Sequence, residues 1–493
     1  MRTAYLRELS FYTLESFGRV LHVDADEALR YIELLCAHGV LKLRTGNEGK
    51  EYDASYDVNV RGSYQLVYVG LVLVDDLCLV AYPKYLPEVS PDNPGTDTLL
   101  VMQQVFRVLR KIEGSYSGIA AVSEEGMRAN DRLALMLVLL EHYGEYGVYS
   151  NYVRTLADNG PGDISWERTI ASNLPFMSGE RPVYMDYKTV ESDRDAADFV
   201  MRLHRAVLTE CSRFMQESGL ASLLTLDEVW LSDAKVEDFG DADLVSYRLE
   251  RERGLQFVTW KQDIIDLLLR YVGEDDSTVR KDAPLCLGTS SFYHVWEETC
   301  KVAFDDALDK RLCDFDLELV APFDRMGKAK LIDIIPRPQW TIPSAGGEEG
   351  CSEVATLIPD TVSLRHNGDG GNVFAILDAK YYTPKLGTNV RGVPGVESVT
   401  KQFLYQAAYR DFVLAHGYSR VINAFLAPSA GDVIEHIGRV RFPGVIAAEE
   451  EPFSNVVELY GLPARRVFEA YLAGETLNND ELLVVTGGSH VPE

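Results

Sequence analysis

Three residues in the last third of the chain have the types and spacing for metal-assisted phosphoryl chemistry: Asp360, Asp378 and Lys380. They lie in TLIPDTVSLRHNGDGGNVFAILDAKYY, residues 356–382, where two β-forming runs flank HNGDGG. Asn-Gly and Asp-Gly are strong hairpin-turn signals. Side chains alternate faces along a strand, so Asp378 and Lys380 share a face with Phe374 and Ile376. Asp360 and Asp378 are equidistant from Asp369 in the turn, so regular pairing sets them opposite one another with Cβ atoms about 5 Å apart. Two carboxylates that close repel unless a cation lies between them, and a hard divalent ion, Mg2+ or alternatively Mn2+, suits the gap. A lysine one pleat further on can orient or deprotonate a water while such an ion polarises a phosphoryl oxygen.

Asp/Glu-x-Lys by itself says little, since it recurs at Glu48–Lys50, Asp186–Lys188 and Asp233–Lys235. Its plainest meaning is a solvated strand end whose charges meet across the surface. The copy at Asp378 closes an apolar run, follows a hairpin turn and has a mirrored upstream Asp, and a carboxylate ending an apolar strand needs a reason to be there. Two neighbouring helices add candidates. The one beginning near Phe292 offers a third carboxylate, Glu297 or Glu298, unless both belong to a solvated face. The one after the hairpin presents Lys401, Gln402, Tyr405, Gln406 and Tyr409. Gln402, Gln406 and Tyr409 are spaced i, i+4, i+7 and share one side. Amides and phenols there can bond phosphate or base edges, although an ordinary amphipathic surface has the same pattern. Lys380, Lys385, Arg391 and Lys401 make the region locally positive.

The elements that must position these residues divide the 493-residue chain into several regions, as its length predicts. Residues 1–60 read as a small α+β module, two helices and a wing-like strand, in the style of a winged helix or of a plain packing module. The acidic stretch Asp24–Glu27 disfavours a recognition helix there. Residues 61–97 form a β-hairpin region turning at Asp75-Asp76, with Pro83 leading the chain out of the sheet. Residues 98–280 read as mainly helical, with Asn130 a candidate cap, and form the candidate partner-docking region. Residues 281–493 run helix, Pro/Gly-rich insertion (336–351), hairpin, Gly/Pro loop (387–395), helix (399–417) and two further strands, an α/β layer on a mixed sheet.

Composition sets a condition on any DNA chemistry. The net charge is −28, whereas phosphate neutralisation by Lys and Arg supplies most non-specific DNA affinity. An acidic chain must therefore concentrate its basic residues at one groove or borrow affinity from a basic partner. The seven cysteines include no Cys-x-x-Cys pair, so reduced thiols in a cytoplasmic protein are expected. No apolar run approaches a membrane span and the N-terminus lacks a signal-peptide layout.

LIPD, LDAKYY, a Lys-Gln-x-x-Tyr-Gln helix and a preceding Trp-Glu helix together resemble the PD-(D/E)XK nuclease superfamily. More closely, the set resembles the LlaJI restriction endonuclease family, relatives of the McrC nuclease subunit. YVGLVLVDDLCLVAYPKYLP, WERTI at Trp166 and FYHVWEETC also fit that family. The resemblance implies a C-terminal PD-(D/E)XK nuclease fold, a mixed sheet flanked by helices, behind N-terminal α+β and helical regions. It implies Asp360 and Asp378 as Mg2+ ligands with Glu297 the accompanying helix glutamate, Lys380 as catalytic lysine, and Gln402 or Gln406 as the helix glutamine. The implied activity is DNA cleavage in a restriction, anti-phage system. The implied partner is a McrB-like AAA+ NTPase in a larger hetero-oligomer, since this chain has no Gly-x-x-x-x-Gly-Lys-[Ser/Thr] loop of its own. The competing expectation is a non-catalytic adaptor that assembles with the NTPase and stimulates it.

Overall fold

The computed structural model describes residues 2–44, 63–114, 132–195, 197–273, 284–344, 347–352, 355–367, 371–387, 390–446 and 451–477. They form two units, one made by the segments up to 114 and from 284 onward, the other by 132–273.

In the first unit, β1 (Arg2–Arg7) and β2 (Phe11–Tyr12) lead into α1 (Leu14–Leu21) and α2 (Ala25–Ala37). Thr13 and Asp24 cap these helices, each accepting a backbone N–H three residues on, which satisfies donors that a first turn leaves open. β3 (Leu41–Arg44) and β4 (Ser63–Leu66) complete a small antiparallel sheet in the order β2-β4-β3. β5 (Val69–Val74) turns at Asp75-Asp76, where the sequence predicts it, into β6 (Leu77–Tyr82). β6 pairs in parallel with β1, and α3 (Gly95–Glu113) follows.

The second unit contains α4 (Arg132–Tyr146), β7 (Tyr152–Asp158), β8 (Asp163–Ile164), α5 (Trp166–Ser172), β9 (Phe176–Ser178), β10 (Arg181–Val183) and β11 (Lys188–Arg194). It ends with α6 (Phe199–Glu217), α7 (Leu220–Leu224), α8 (Ala242–Arg253) and α9 (Thr259–Gly273). The sequence predicts mainly helix here, but residues 152–194 also form two antiparallel sheets, β7-β11-β8 and β10-β9. Their strands expose most positions, so the apolar alternation that marks a half-buried strand is absent. The candidate cap Asn130 lies outside the described residues.

β12 (Leu285–Thr289) returns the chain to the first unit and pairs antiparallel with β5, giving the sheet β1-β6-β5-β12. Gly70 and Gly288 face each other across that pair. A Cβ on either would stand 2.3 Å from a carbonyl oxygen of the opposite strand, so only glycine lets the strands meet. α10 (Phe292–Ala303) follows. The Pro/Gly-rich stretch read as an insertion forms a hairpin of β13 (Gln339–Ser344) and β14 (Gly347–Ser352).

The remaining elements are β15 (Thr361–Asn367), β16 (Gly371–Ala379), α11 (Val396–Ala408), α12 (Arg410–Ala415), β17 (Tyr418–Ser429), β18 (Glu435–Arg441), β19 (Val456–Pro463) and α13 (Ala464–Ala473). The strands make a mixed sheet in the order β15-β16-β17-β19-β18, parallel in the middle and antiparallel at both edges. The helix predicted over 399–417 breaks at Tyr409 into α11 and α12. Edge strand β18, which has no fully buried position, was not predicted from the sequence. Val362, Phe374, Ile376 and Val421 form one core with Tyr405, Tyr409 and Phe412, which lays α11 and α12 on the face of the sheet to which Asp378 belongs. α10 is fastened to β17 by Trp296 Nε1, which donates to Leu426 O at 3.0 Å. The architecture is mixed α/β.

Candidate active site

The register of the β15–β16 hairpin places the two aspartates. Thr361 pairs with Leu377 at the open end, so the next step sets Asp360 opposite Asp378, the juxtaposition predicted from the turn. Asp360 Oδ2 accepts the backbone N–H of Ala379 at 3.0 Å. Asp378 is 5 % exposed, and its Oδ1 lies 2.6 Å from Lys380 Nζ. That contact is an ion pair, since Oδ1 accepts no hydrogen bond of good direction.

Burial, followed by the hydrogen bond and charge of Asp378, pushes the Asp360 carboxyl up to about 8, with Glu297 adding to the shift and Lys380 opposing it. Burial pulls the Lys380 ammonium down, but Asp378 and then Asp360 more than offset this and leave it above the usual lysine value. Lys380 is therefore an ammonium at neutral pH, and the site holds more negative charge than its burial favours.

The remaining candidates separate. Glu297 Oε2 is 3.2 Å from His294 Nδ1, and its charge acts on Asp360 and Cys300. Glu298 stands 3.4 Å from Lys301, and its charge acts on Tyr471. Of the two, Glu297 is the one that bears on the aspartate pair. Among the described residues, no three His, Cys, Asp or Glu side chains stand close enough together to hold a metal ion by themselves. Gln402 is fully buried, with neither Nε2 nor Oε1 partnered. Gln406 Nε2 donates to Ser454 O at 2.9 Å, so that amide serves a neighbouring loop. Tyr409 donates to Leu331 O at 3.3 Å, inside the core. Lys401 pairs with Glu397 at 2.6 Å, which reduces the local positive charge expected of this region.

Two further residues belong to the surroundings of the site. Tyr405 donates to Ile358 O at 2.9 Å, two residues before Asp360; burial, then Asp378 and Asp360, push its phenol up to about 12. Asn423 Nδ2 donates to Gln402 O at 3.1 Å, while its buried Oδ1 is unpartnered. An asparagine within the apolar run RVINAFLAP was the available signal for it.

A family profile described as LlaJI restriction endonuclease matches residues 68–315 and 325–448. The chain belongs to the LlaJI restriction endonuclease family. All six predicted site residues fall within the matched segments. The chain is also similar to the "Type II restriction enzyme BsuMI component YdjA" of Bacillus subtilis (strain 168), at 25 % identity over 419 residues, 84 % of this chain and 82 % of that protein. Among solved structures it is similar to a chain of the McrB AAA+ hexamers with bound McrC from Thermococcus gammatolerans, at a TM-score of 0.34 and 12 % identity, covering 96 % of this chain and 99 % of that one. No described helix is long and apolar enough to cross a membrane.

Proposed function

We propose that this LlaJI-family chain is the DNA-cleaving subunit of a restriction system: a PD-(D/E)XK endonuclease that uses Mg2+ or Mn2+ and works with an AAA+ NTPase partner. One observation carries the reading: Asp360 lies opposite a buried Asp378 that is itself paired with Lys380. A carboxyl pushed up to about 8 by burial and by a second carboxyl beside it is a donor set suited to a hard cation. Asp360 and Asp378 would hold the ion, with Glu297 the carboxylate nearest in electrostatic reach. Once bound, the ion would relieve the carboxylate repulsion and polarise a phosphodiester oxygen.

The chain's own groups account for the rest. Lys380, protonated beside Asp378, favours the negative charge that develops on the phosphoryl group and orients the attacking water, rather than removing its proton. Gln402 offers an amide donor and acceptor for that water or for a phosphate oxygen. Tyr405 steadies the segment that carries Asp360, and Trp296 steadies the helix that carries Glu297.

The partner is inferred from what the chain lacks. It has a net charge of −28 and no nucleotide-binding phosphate loop, and the Bacillus relative is named as one component of its enzyme. A subunit that grips DNA would supply the missing affinity.

The test combines the chain with its NTPase partner, nucleotide, Mg2+ and plasmid DNA, comparing wild type with Asp378→Ala and Lys380→Ala. Wild type is expected to cleave, and each variant to lose roughly 10²–10³-fold in rate. Equal cleavage by all three would sink the proposed site. A wild type that never cleaves but accelerates the partner's NTP hydrolysis would make the chain an adaptor.

A further inference from the structure

Glu8 directly follows β1, 373 residues before Tyr381 in sequence, yet the two side chains meet. It lies outside the segments matched by the family profile, and it is 7 % exposed. Its Oε2 accepts the Tyr381 hydroxyl at 2.5 Å and the backbone N–H of Lys84 at 3.2 Å. The Lys84 ammonium stands 4.6 Å above the Tyr381 ring centroid. Arg7 closes the arrangement by donating to Lys84 O at 2.9 Å. On another side, Phe292 at the start of α10 packs against the Tyr381 ring at 5.2 Å.

Tyr381 directly follows Lys380. The Lys380 N–H donates to Leu426 O at 2.9 Å, the carbonyl that also accepts from Trp296. The backbone leaving β16 is thus fixed on one side by Leu426 and on the other by Glu8 through Tyr381. Packing alone does not explain this choice of residues. A phenylalanine would fill the ring's place, and a buried carboxylate is expensive to desolvate unless its bonds do something that apolar contact cannot. A hydrogen bond adds direction: it sets the orientation of Tyr381 and with it that of the residue before.

We propose that Glu8 and Tyr381 are positioning residues for Lys380, forming a clamp by which the N-terminal sheet aims the lysine at Asp378. What Lys380 accomplishes rests on the nuclease reading above; that the clamp holds it in place does not.

The experiment therefore has two arms, both on the full chain with its partner: single-turnover DNA cleavage with Mg2+, and amine-reagent labelling of Lys380 read by mass spectrometry. Tyr381→Phe keeps the ring and removes the hydroxyl. Glu8→Gln keeps an acceptor, and Glu8→Leu abolishes it. Tyr381→Phe and Glu8→Leu should slow cleavage at saturating DNA by about tenfold or more, with half-saturating DNA unchanged within about twofold. Both should raise Lys380 labelling severalfold, while Glu8→Gln stays near wild type in both arms. Wild-type labelling of Lys380 in Tyr381→Phe would overturn the clamp, as would a loss in either variant that simply follows a lower thermal midpoint. If wild type never cleaves, the nuclease reading fails, and labelling still decides the clamp. Should Glu8→Leu fail to fold, Tyr381→Phe and Glu8→Gln carry the comparison.

Discussion

Asp360 and Asp378 were legible in the sequence because a hairpin's register follows from its turn, and a symmetric spacing about Asn-Gly and Asp-Gly leaves little freedom. Their charge conflict predicts a measurable instability. In EDTA above pH 8, where Asp360 is ionised, Asp360→Asn should raise the thermal midpoint by roughly 2–4 °C, because the amide can still accept the Ala379 N–H while the repulsion ends. Mg2+ should raise the midpoint of wild type but not of Asp378→Ala, since only a folded site with both carboxylates gains from the ion. A midpoint indifferent to Mg2+ in wild type would remove the metal from the proposal. The two glutamines could not be told apart in sequence, because residues four apart share a helix face. Which one points inward depends on how Phe403 and Tyr405 seat α11 on the sheet. Gln402→Leu should hold or gain stability, as two unpartnered buried polar atoms are removed, yet cleave more slowly. Gln406→Leu should lose about 1 kcal/mol with its bond to Ser454 O and cleave normally. Urea unfolding and cleavage rates on both variants would expose the reverse assignment.

Among the elements, the β5–β6 hairpin, with its turn chemistry at Asp75-Asp76, matched expectation. The exposed strands of residues 152–194 and edge strand β18 did not, because they bury too little for periodicity to show. Some contacts that seat a helix carry a pH signature. His204 on α6 is fully buried, and its Nδ1 accepts the Tyr149 N–H at 3.1 Å. Burial, then the neighbouring His142, lower its pKa to about 3. The unfolded chain takes up this proton near pH 6.5, whereas the native state refuses it until about pH 3. Stability from this group is therefore complete above about pH 6.5 and is lost as pH falls, by at most about 1.4 kcal/mol per pH unit. Urea unfolding at pH 7 and pH 5 should show that loss in wild type and a shallower one in His204→Gln. Equal pH dependence in both would assign the acid sensitivity elsewhere.

At the scale of the molecule, the sequence suggested successive regions, whereas the first unit draws its parts from both ends of the chain. Local patterns cannot reveal this, because β12 completes a sheet with β5 across some two hundred intervening residues, and a long excursion adds little loop-closure entropy for each further residue. A local trace is the glycine pair Gly70 and Gly288, unremarkable until the strands are paired. Side chains repeat the dependence: Gln104 on α3 donates to Arg465 O at 2.9 Å, and Lys111 donates to Tyr471 O at 2.6 Å, capping α13. The segment holding Asp360, Asp378 and Lys380 is thus not self-sufficient. Expressed alone, residues 282–493 should lack cooperative thermal unfolding and expose the apolar face of β12. Co-expressed with residues 1–127, they should recover a soluble complex, because the missing contacts need spatial proximity rather than a continuous chain. Calorimetry and co-purification decide the matter: a lone 282–493 fragment that melts cooperatively, or whose midpoint ignores the N-terminal piece, would show that the N-terminal sheet is an appendage. That outcome would also leave Glu8 no part in positioning Lys380, which ties the residue-scale clamp to the assembly of the whole unit.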